Sequence, residues 1–492
     1  MHSHTPKSIK PGLLAAEETT SKSSKSLKTA LLACGGALAI TTGSAVAGPL
    51  NSAEQSVVTY LTDPNVCNFG YGGAANAPPF FGEGNASSPI VRARTVPGGP
   101  YTCPSSGGPT DSFWLDMENT LNTSNDSAQH QALQSLAFDQ FAAAGRLQAE
   151  LSNIHRNNLS ARIRDLHSGS TGMRTQAPTI QNGAVSMNWN NPYGGGGASA
   201  DSVNSKYGTF ISARISTGDR DTTDAETGYD IDGYNVTAGM DYRFTDSFVM
   251  GAAVGYASTD ADFNSNAGEM TVDGFSLSLF GTHYEADSYY IDGIVSYNWN
   301  EVDTDRNILQ SNQNTLVANS NTDSNIFSAS LGIGKEFQMQ QATISPYLRL
   351  DYADINIDGF SETGAGFWGM KIEDQDLTSF TSNLGVQLVN PISKSWGVLT
   401  PQFRAEWVHE YDNDSRIIRG RFLGAVASTF NPNLNQPILL PTDDPDDDYF
   451  NVAVGVSAQL ADNQSWFLQY EGIYGLSESS LHIFQAGLRV EF

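Results

Sequence analysis

The sequence predicts an all-β protein, a membrane-spanning barrel of twelve antiparallel strands preceded by an α-helix and a short, irregular amino-terminal region. Three observations carry this expectation. At the carboxyl end Phe484, Ala486, Leu488, Val490 and Phe492 share one face of a period-two segment, while Gln485, Gly487, Arg489 and Glu491 share the other. Lipid on one side and a wet lumen on the other demand that alternation. The chain has no apolar run of roughly 18 residues or more, the length a membrane helix needs, and its mean hydropathy is -0.30. Only a barrel crosses a bilayer while looking this polar, because alternate residues face water. Finally, short and long connections alternate along the carboxyl-terminal part, as they do when hairpins close on two different rims.

Taken in order, strands are expected at 207–216, 229–244, 247–260, 270–284, 288–302, 324–337, 342–355, 372–389, 396–411, 449–460, 465–475 and 481–492. In the second, Tyr234, Val236, Ala238, Met240 and Tyr242 are placed toward lipid and Asn235, Thr237, Gly239, Asp241 and Arg243 toward the lumen. The tenth opposes Phe450, Val452, Val454, Val456, Ala458 and Leu460 to Asn451, Ala453, Gly455, Ser457 and Gln459. Short turns fall near Thr245-Asp246, Ala286-Asp287, Gln340, Ser393 and Asn463, and long polar links span 217–228, 261–269, 303–323, 356–371 and 412–448. Aromatics gather at the strand ends, with Tyr242, Phe244, Phe248, Tyr289, Trp396 and Trp466 near the short turns and Tyr256 and Trp299 toward the long links. A ring with an apolar body and a polar tip favours the membrane interface.

At the other end, Lys22, Lys25 and Lys28 precede an apolar stretch at 29–40 and then Ala45-Val46-Ala47. A basic start, a short apolar middle and a small-residue exit describe a secretory signal peptide over 1–47, with Ala45 and Ala47 at the cleavage site. Cys34, in Leu31-Leu32-Ala33-Cys34, loosely resembles a lipoprotein box. The leader's five lysines and two glutamates carry +3, so its removal takes the formal charge from -27 to -30. Such a surface repels nucleic acid and attracts cations. Cleavage leaves Cys67 and Cys103, an even pair that suggests a disulfide in an exported chain, two separate thiols being the alternative. Residues 48–124 are rich in Gly, Pro, Asn and Ser and too poor in apolar residues for a large enzyme core. From Asn125 or Asp126 a helix is expected through Leu166, with Leu147, Leu151, Ile154, Leu159, Ile163 and Leu166 at helical spacing. Gly169 and the four glycines at 194–197 would end it and supply flexible chain, so 125–200 reads as helix and linker and 201–492 as barrel.

The terminal Phe492, with Phe484, Leu488 and Val490 at alternate positions before it, resembles the signal by which bacterial outer-membrane barrels are recognised for assembly. Signal peptide, short exported region, helix and such a barrel together resemble an autotransporter, a type V secretion protein. Passages such as Asn235 to Phe244 (NVTAGMDYRF) and Asp273 to Tyr284 (DGFSLSLFGTHY) are similar to the family's barrel domain. The resemblance runs from about Gln131 to the end of the chain. It implies that the barrel, helped by the assembly machinery and periplasmic chaperones, anchors and displays the passenger, with the helix threaded through the lumen of a monomeric barrel. Arg146, Arg156, Arg162 and Arg164 load that helix with positive charge. Inward Asp241, Asp351, Glu406, Glu471 and Glu491 are then candidates to receive them, and Arg214, Arg243, Arg349, Arg404 and Arg489 to balance the rest. A solvent-exposed surface helix is the alternative.

Residues 157–166 (NNLSARIRDL) are similar to the pore-helix segment of the serine protease autotransporters of enterobacteria, departing at Ala161 and Arg164. That likeness implies a single self-cleavage at Asn157-Asn158, with the Asn157 side chain attacking its own carbonyl and lumen acids moving protons. The alternative is an asparagine pair that merely faces the lumen. Asp443, Asp444, Asp446, Asp447 and Asp448 crowd the longest link and offer either a divalent-cation or lipopolysaccharide bridge or a solvated acidic loop; their spacing does not match an EF-hand. No other cofactor or metal is expected. The rivals are an outer-membrane barrel enzyme of lipase or protease type and a porin with a periplasmic amino region. Against the enzyme, His283, His409 and His482 provide no His-x-Ser pair, and no Gly-x-Ser-x-Gly elbow occurs. The helix histidines His130, His155 and His167 are expected to do surface duty.

Overall fold

The computed structural model describes residues 51–62, 133–172, 179–181, 184–186, 207–285, 289–309, 315–339, 342–424, 436–460 and 464–491. Ala45, Ala47, Cys67, Cys103 and Phe492 lie outside the described residues, and of Arg489, Val490 and Glu491 only the backbone is described. The barrel strands are β1 Tyr207–Arg220, β2 Tyr229–Thr245, β3 Phe248–Phe263, β4 Gly268–Tyr284, β5 Tyr289–Leu309, β6 Thr315–Lys335, β7 Ala342–Ile357, β8 Gln375–Val389, β9 Gly397–Glu410, β10 Asp448–Leu460, β11 Gln464–Tyr474 and β12 Ser479–Glu491. Each pairs antiparallel with its neighbours, and β12 returns to β1 with Ser479 opposite Arg220 and Glu491 opposite Gly208. The ring therefore closes, which removes the unpaired edges that lipid cannot solvate.

Alternation decides which face each residue takes. In β2 Tyr234, Val236 and Met240 are exposed, whereas Asn235, Thr237 and Asp241 are buried in the lumen. The same outward apolar belt carries Ile211, Val254, Phe275, Leu331, Leu384, Val454, Phe484 and Leu488. Phe275, at 65% exposure, would be a large penalty in water and is none in lipid. Rings line the interface near the short turns: Tyr207 meets Tyr242 at 5.0 Å and Tyr242 meets Phe244 at 4.8 Å.

Three expectations about the links are corrected. The long link expected at 261–269 is mostly paired strand, Ala261 opposite Met270 and Phe263 opposite Gly268, which leaves only 264–267 between β3 and β4. Residues 303–309 and 315–323 are not loop but paired strand, register-matched from Asp303–Asn321 to Leu309–Thr315. The apolar alternation fails there because both faces stand above the membrane, yet the inward positions Arg306, Ile308 and Ala318 are buried. The links after β7 and β9 carry short strands, Phe360–Ser361, Met370–Ile372, Ile417–Phe422 and Ile438–Pro441, which form a separate four-stranded sheet across the outer mouth. Ile372, expected to begin the eighth strand, thus belongs to this cap, and β8 starts at Gln375.

The amino-terminal region is less irregular than its composition suggests. Helix α1, Ser52–Thr62, opens with a reciprocal cap: the Glu54 backbone N donates to Asn51 Oδ1 at 2.7 Å, and the Asn51 backbone N donates to Glu54 Oε2 at 2.9 Å. Its Ala53 and Val57 are fully buried in the cap core, and Ser52 donates from backbone N to the Asp224 carbonyl at 2.7 Å. The linker region, expected to be flexible, contains the small hairpin Thr179–Gln181 with Ala184–Ser186.

Helix α2, Gln140–Gly172, runs past the expected end at Leu166 and through Gly169. Residues 133–136 ahead of it are helical too, and the expected continuity breaks between them because Phe138 takes a left-handed backbone, φ 46°, while 125–132 lie outside the described residues. The 33 residues of α2 give about 50 Å of helix, enough to traverse a bilayer-sized lumen. Two apolar stripes seat it. Leu147 and Leu151 join Leu133, Leu136, Phe138 and Phe141 in the cap core, while Leu159, Ile163 and Leu166 pack on Phe210, Val249, Phe280 and Ile294 lower in the barrel. One close approach needs glycine: a Cβ on Gly255 would stand 2.6 Å from Cε1 of His155.

Candidate functional site

The lumen is plugged by α2, and charge pairing fixes the plug's height. Arg162 donates from Nε to Oδ2 of Asp241 at 2.8 Å and lies over the Phe210 ring at 5.3 Å. Higher up, Arg156 Nε stands 3.2 Å from Asp351 Oδ2. At the far end of the described side chains, His167 Nε2 lies 2.7 Å from Thr282 Oγ1 and 3.1 Å from Asp292 Oδ1. His167 and His155 are buried, not on the helix surface as expected.

The other two helix arginines behave differently. Arg146 pairs with Glu226 of the external link after β1, Nη2 to Oε1 2.9 Å, not with the wall. Arg164 makes no ion pair among the described residues, and its Nη2 has no hydrogen-bond partner. The reason is that the wall neutralises itself: Asp351 bridges to Arg349 at 2.9 Å, Arg349 to Glu406 at 3.1 Å, Glu406 to Arg404 at 2.8 Å, Arg404 to Glu471 at 2.8 Å and Glu471 to Arg214 at 3.4 Å. Five strands, β7, β9, β11, β12 and β1, contribute to this belt once Gln485 accepts from Arg214 at 2.9 Å. A buried charge is tolerated only when paired in this way. Arg243, near the short-turn rim, donates to the Tyr284 hydroxyl.

Asn157 and Asn158 sit beside the belt in unbroken helix. The Asn158 amide donates to Asn235 and to Thr237 Oγ1, the latter at 2.9 Å, and accepts from Gln485 at 3.0 Å. Asn157 Oδ1 is buried without a partner. Among the described residues no carboxylate is hydrogen-bonded to either asparagine.

Above the belt the cap closes the outer mouth, and this part escaped the sequence reading. Arg306 and Glu362, 56 residues apart, form a fully buried two-bond pair at 2.8 and 2.6 Å. Asp139 accepts from the Thr227 backbone N at 2.9 Å and hydroxyl at 2.8 Å. No local pattern announces such partners, since each is supplied by a distant link. The acidic run is spent piecemeal: Asp443 pairs with Arg220 at 2.6 Å, Asp446 accepts from Ser477, Asp447 from Asn413, and Asp448 lies 3.0 Å from His409. Among the described residues no group of three or more His, Cys, Asp and Glu converges as a metal site. His283, His409 and His482 alternate with buried neighbours and so sit on outward positions, away from the lumen.

Burial pushes the Asp139 carboxyl up to about 6, against the Thr227 hydrogen bonds that favour its charged form. Burial acts on Glu226 in the same sense but is outweighed by Arg146 and Arg220, which hold it below its ordinary range. A raised carboxyl stabilises the fold most below its unfolded value near 3.8 and loses that contribution as pH rises through about 6. Asp139→Asn should therefore abolish one pH-dependent component: relative to wild type, hydrogen-exchange protection of 133–144 should improve as pH rises from about 4 to about 7, by up to about 3 kcal/mol. A difference that stays flat with pH would refute the assignment.

A family model, the autotransporter β-domain, matches residues 209–471. Outer membrane protein A of Rickettsia rickettsii is 24% identical over 305 residues, 59% of this chain and 13% of that protein. Esterase EstA of Pseudomonas aeruginosa is 24% identical over 203 residues, 40% of this chain and 30% of that protein. The chain thus spans well under two thirds of the length of these relatives. Among solved structures, the translocator domain of autotransporter NalP from Neisseria meningitidis aligns with a TM-score of 0.46 at 14% identity, covering 59% of this chain and 90% of that one. The transport unit of autotransporter AIDA-I from Escherichia coli aligns at 0.45 and 14%, covering 59% and 92%. The β-domain that the family model describes is a barrel, not a catalytic unit. Because that match takes in more than half of the residues, the chain belongs to the autotransporter family, an outer-membrane protein of a Gram-negative bacterium.

Proposed function

We propose that this autotransporter is a permanently plugged anchor that displays its short amino-terminal region, residues 48–124, at the cell surface as a binding element and not as an enzyme. The observation that carries this reading is the cap: α1, the start of that region, is packed into the same apolar core as α2 and the four-stranded sheet over the outer mouth. A porin needs an open bore, and α2 with its ion pairs occupies this one. An intact bond between Asn157 and Asn158 belongs to the same reading. Cyclisation needs a group to take a proton from the Asn157 side-chain amide, whereas among the described residues no carboxylate is hydrogen-bonded to Asn157 and the nearby acids are bound to arginines. The partners it requires are lipid and lipopolysaccharide around the apolar belt and the assembly machinery at β12, where Phe484 and Leu488 are exposed.

Protease added to intact cells tests the display. Cleavage within 63–132 without permeabilisation is expected, together with an uncut 157–158 bond in mass spectra of the mature protein. Protection of 63–132 until the outer membrane is opened would refute display, and fragments beginning at Asn158 would refute the intact anchor.

A further inference from the structure

A cavity of about 470 Å³ opens at the outer end of the lumen, between α2, the tops of β1, β2 and β7 to β12, and the links over them. That volume lies in the range of small-molecule sites, about 300–1,000 Å³. Part of its wall is apolar, with Tyr229, Ile231, Leu377, Tyr449 and Leu481. The rest is strongly acidic: eight carboxylates against three arginines.

The arginines are already engaged. Arg146 and Arg220 pair with Glu226 and Asp443, and Arg416 donates to the Ala142 carbonyl at 2.8 Å and to Gln375 at 3.3 Å. Four of the acids are engaged too: Glu226 and Asp443 by those arginines, Glu410 by the backbone N of Phe380, Tyr411 and Asp412, and Asp446 by Ser477. Among the described residues Asp412 accepts only from the Thr378 hydroxyl. What is left over is negative. Glu150 Oε1 is shut off from solvent and has no hydrogen-bond partner, and among the described residues Asp376 and Asp414, both exposed, have no ion pair. A shielded carboxylate without a donor is unfavourable unless a cation or donor reaches it.

We propose that this cavity binds a small organic cation with an aliphatic body and charge at both ends, of the polyamine or alkylguanidinium class. Glu150 takes the inner cationic group, the apolar wall covers the methylenes, and Asp376, Asp412 and Asp414 at the rim hold the outer group. Two charged ends suit one deep carboxylate and a separate exposed set; a compact metal ion would find no converging ligands among the described residues. The site depends on the folded barrel and cap and is independent of whether the residues ahead of them are displayed.

The test is calorimetry with spermidine as probe on the full mature protein folded in detergent at mildly alkaline pH, heat-modifiable gel mobility serving as the folding control. Saturable binding at one site is expected. Glu150→Gln should weaken it by about tenfold or more, as loss of a hydrogen bond to a charged group does. The double variant Asp376→Asn, Asp414→Asn changes only exposed side chains and should weaken it several-fold with folding unchanged. Absent or non-saturable binding, equal affinity in the folded Glu150→Gln or in the double variant, or full displacement by magnesium at equal concentration would each overturn the proposal, the last by showing plain counterion exchange.

Discussion

Glu362→Ala is expected to open the outer cap while leaving the barrel folded. Glu362 holds Arg306 by two bonds, at 2.8 and 2.6 Å, and also accepts the Met370 backbone N at 2.6 Å. Arg306 additionally donates to the Ser135 carbonyl at 2.7 Å, which ties the extended β5 to the segment leading into α2. Removing the carboxylate leaves a guanidinium of 0% exposure without its counterion. Breaking one side of a buried pair costs about 3–5 kcal/mol, a large share of the roughly 5–15 kcal/mol that holds a domain together. The loss falls on the cap because Arg306 and Glu362 both lie above the bilayer. The measurement is proteolysis of 358–374 and 411–447 on intact cells, with heat-modifiable mobility as the report on the barrel. Replacing both partners by methionine should recover most of the loss, since an apolar pair leaves no stranded charge. A Glu362→Ala cap as resistant as wild type would refute this account.

Glu406→Ala is expected to do the reverse, weakening the barrel itself. Glu406 is the middle of the wall belt, bound to Arg349 at 3.1 Å and Arg404 at 2.8 Å and accepting from Tyr347 at 2.6 Å. Its loss takes one of two acidic partners from each of Arg349 and Arg404, which keep Asp351 and Glu471, and it leaves an excess of buried positive charge near Arg164, which has no ion pair among the described residues. The expected cost is again about 3–5 kcal/mol, read as a lower temperature for the shift from folded to unfolded mobility on gels. Glu406→Gln should fall between, keeping an acceptor for one arginine and losing the charge. An unchanged transition in Glu406→Ala would mean that the belt contributes nothing measurable.

The contrast between these two sites follows what was legible in the chain. Asp241, Asp351, Glu406 and Glu471 stood out as inward charges because each sits at an even step from polar neighbours on a strand whose odd steps are greasy, and all four are buried in the lumen. Which arginine each would meet did not stand out. Asp241 and Asp351 received Arg162 and Arg156 from the helix, but Glu406 and Glu471 were taken by the wall's own Arg349, Arg404 and Arg214. Strand neighbours come within reach as soon as the register is set, whereas a helix must first find its height and rotation. Arg306, Glu362 and Asp139 gave no signal at all, because their segments show no period and their partners lie 56 to 171 residues away.

By itself the sequence determined the twelve strands, their facing and the closure of the ring, since a two-residue period is a local property and lipid enforces it at every step. The tertiary structure alone decided how the links after β7 and β9 fold into a sheet, how α1 and the start of α2 enter its core, and which carboxylates end up without a partner. Those outcomes depend on contacts between segments far apart in the chain, and a contact of that kind leaves no repeat for the sequence to show.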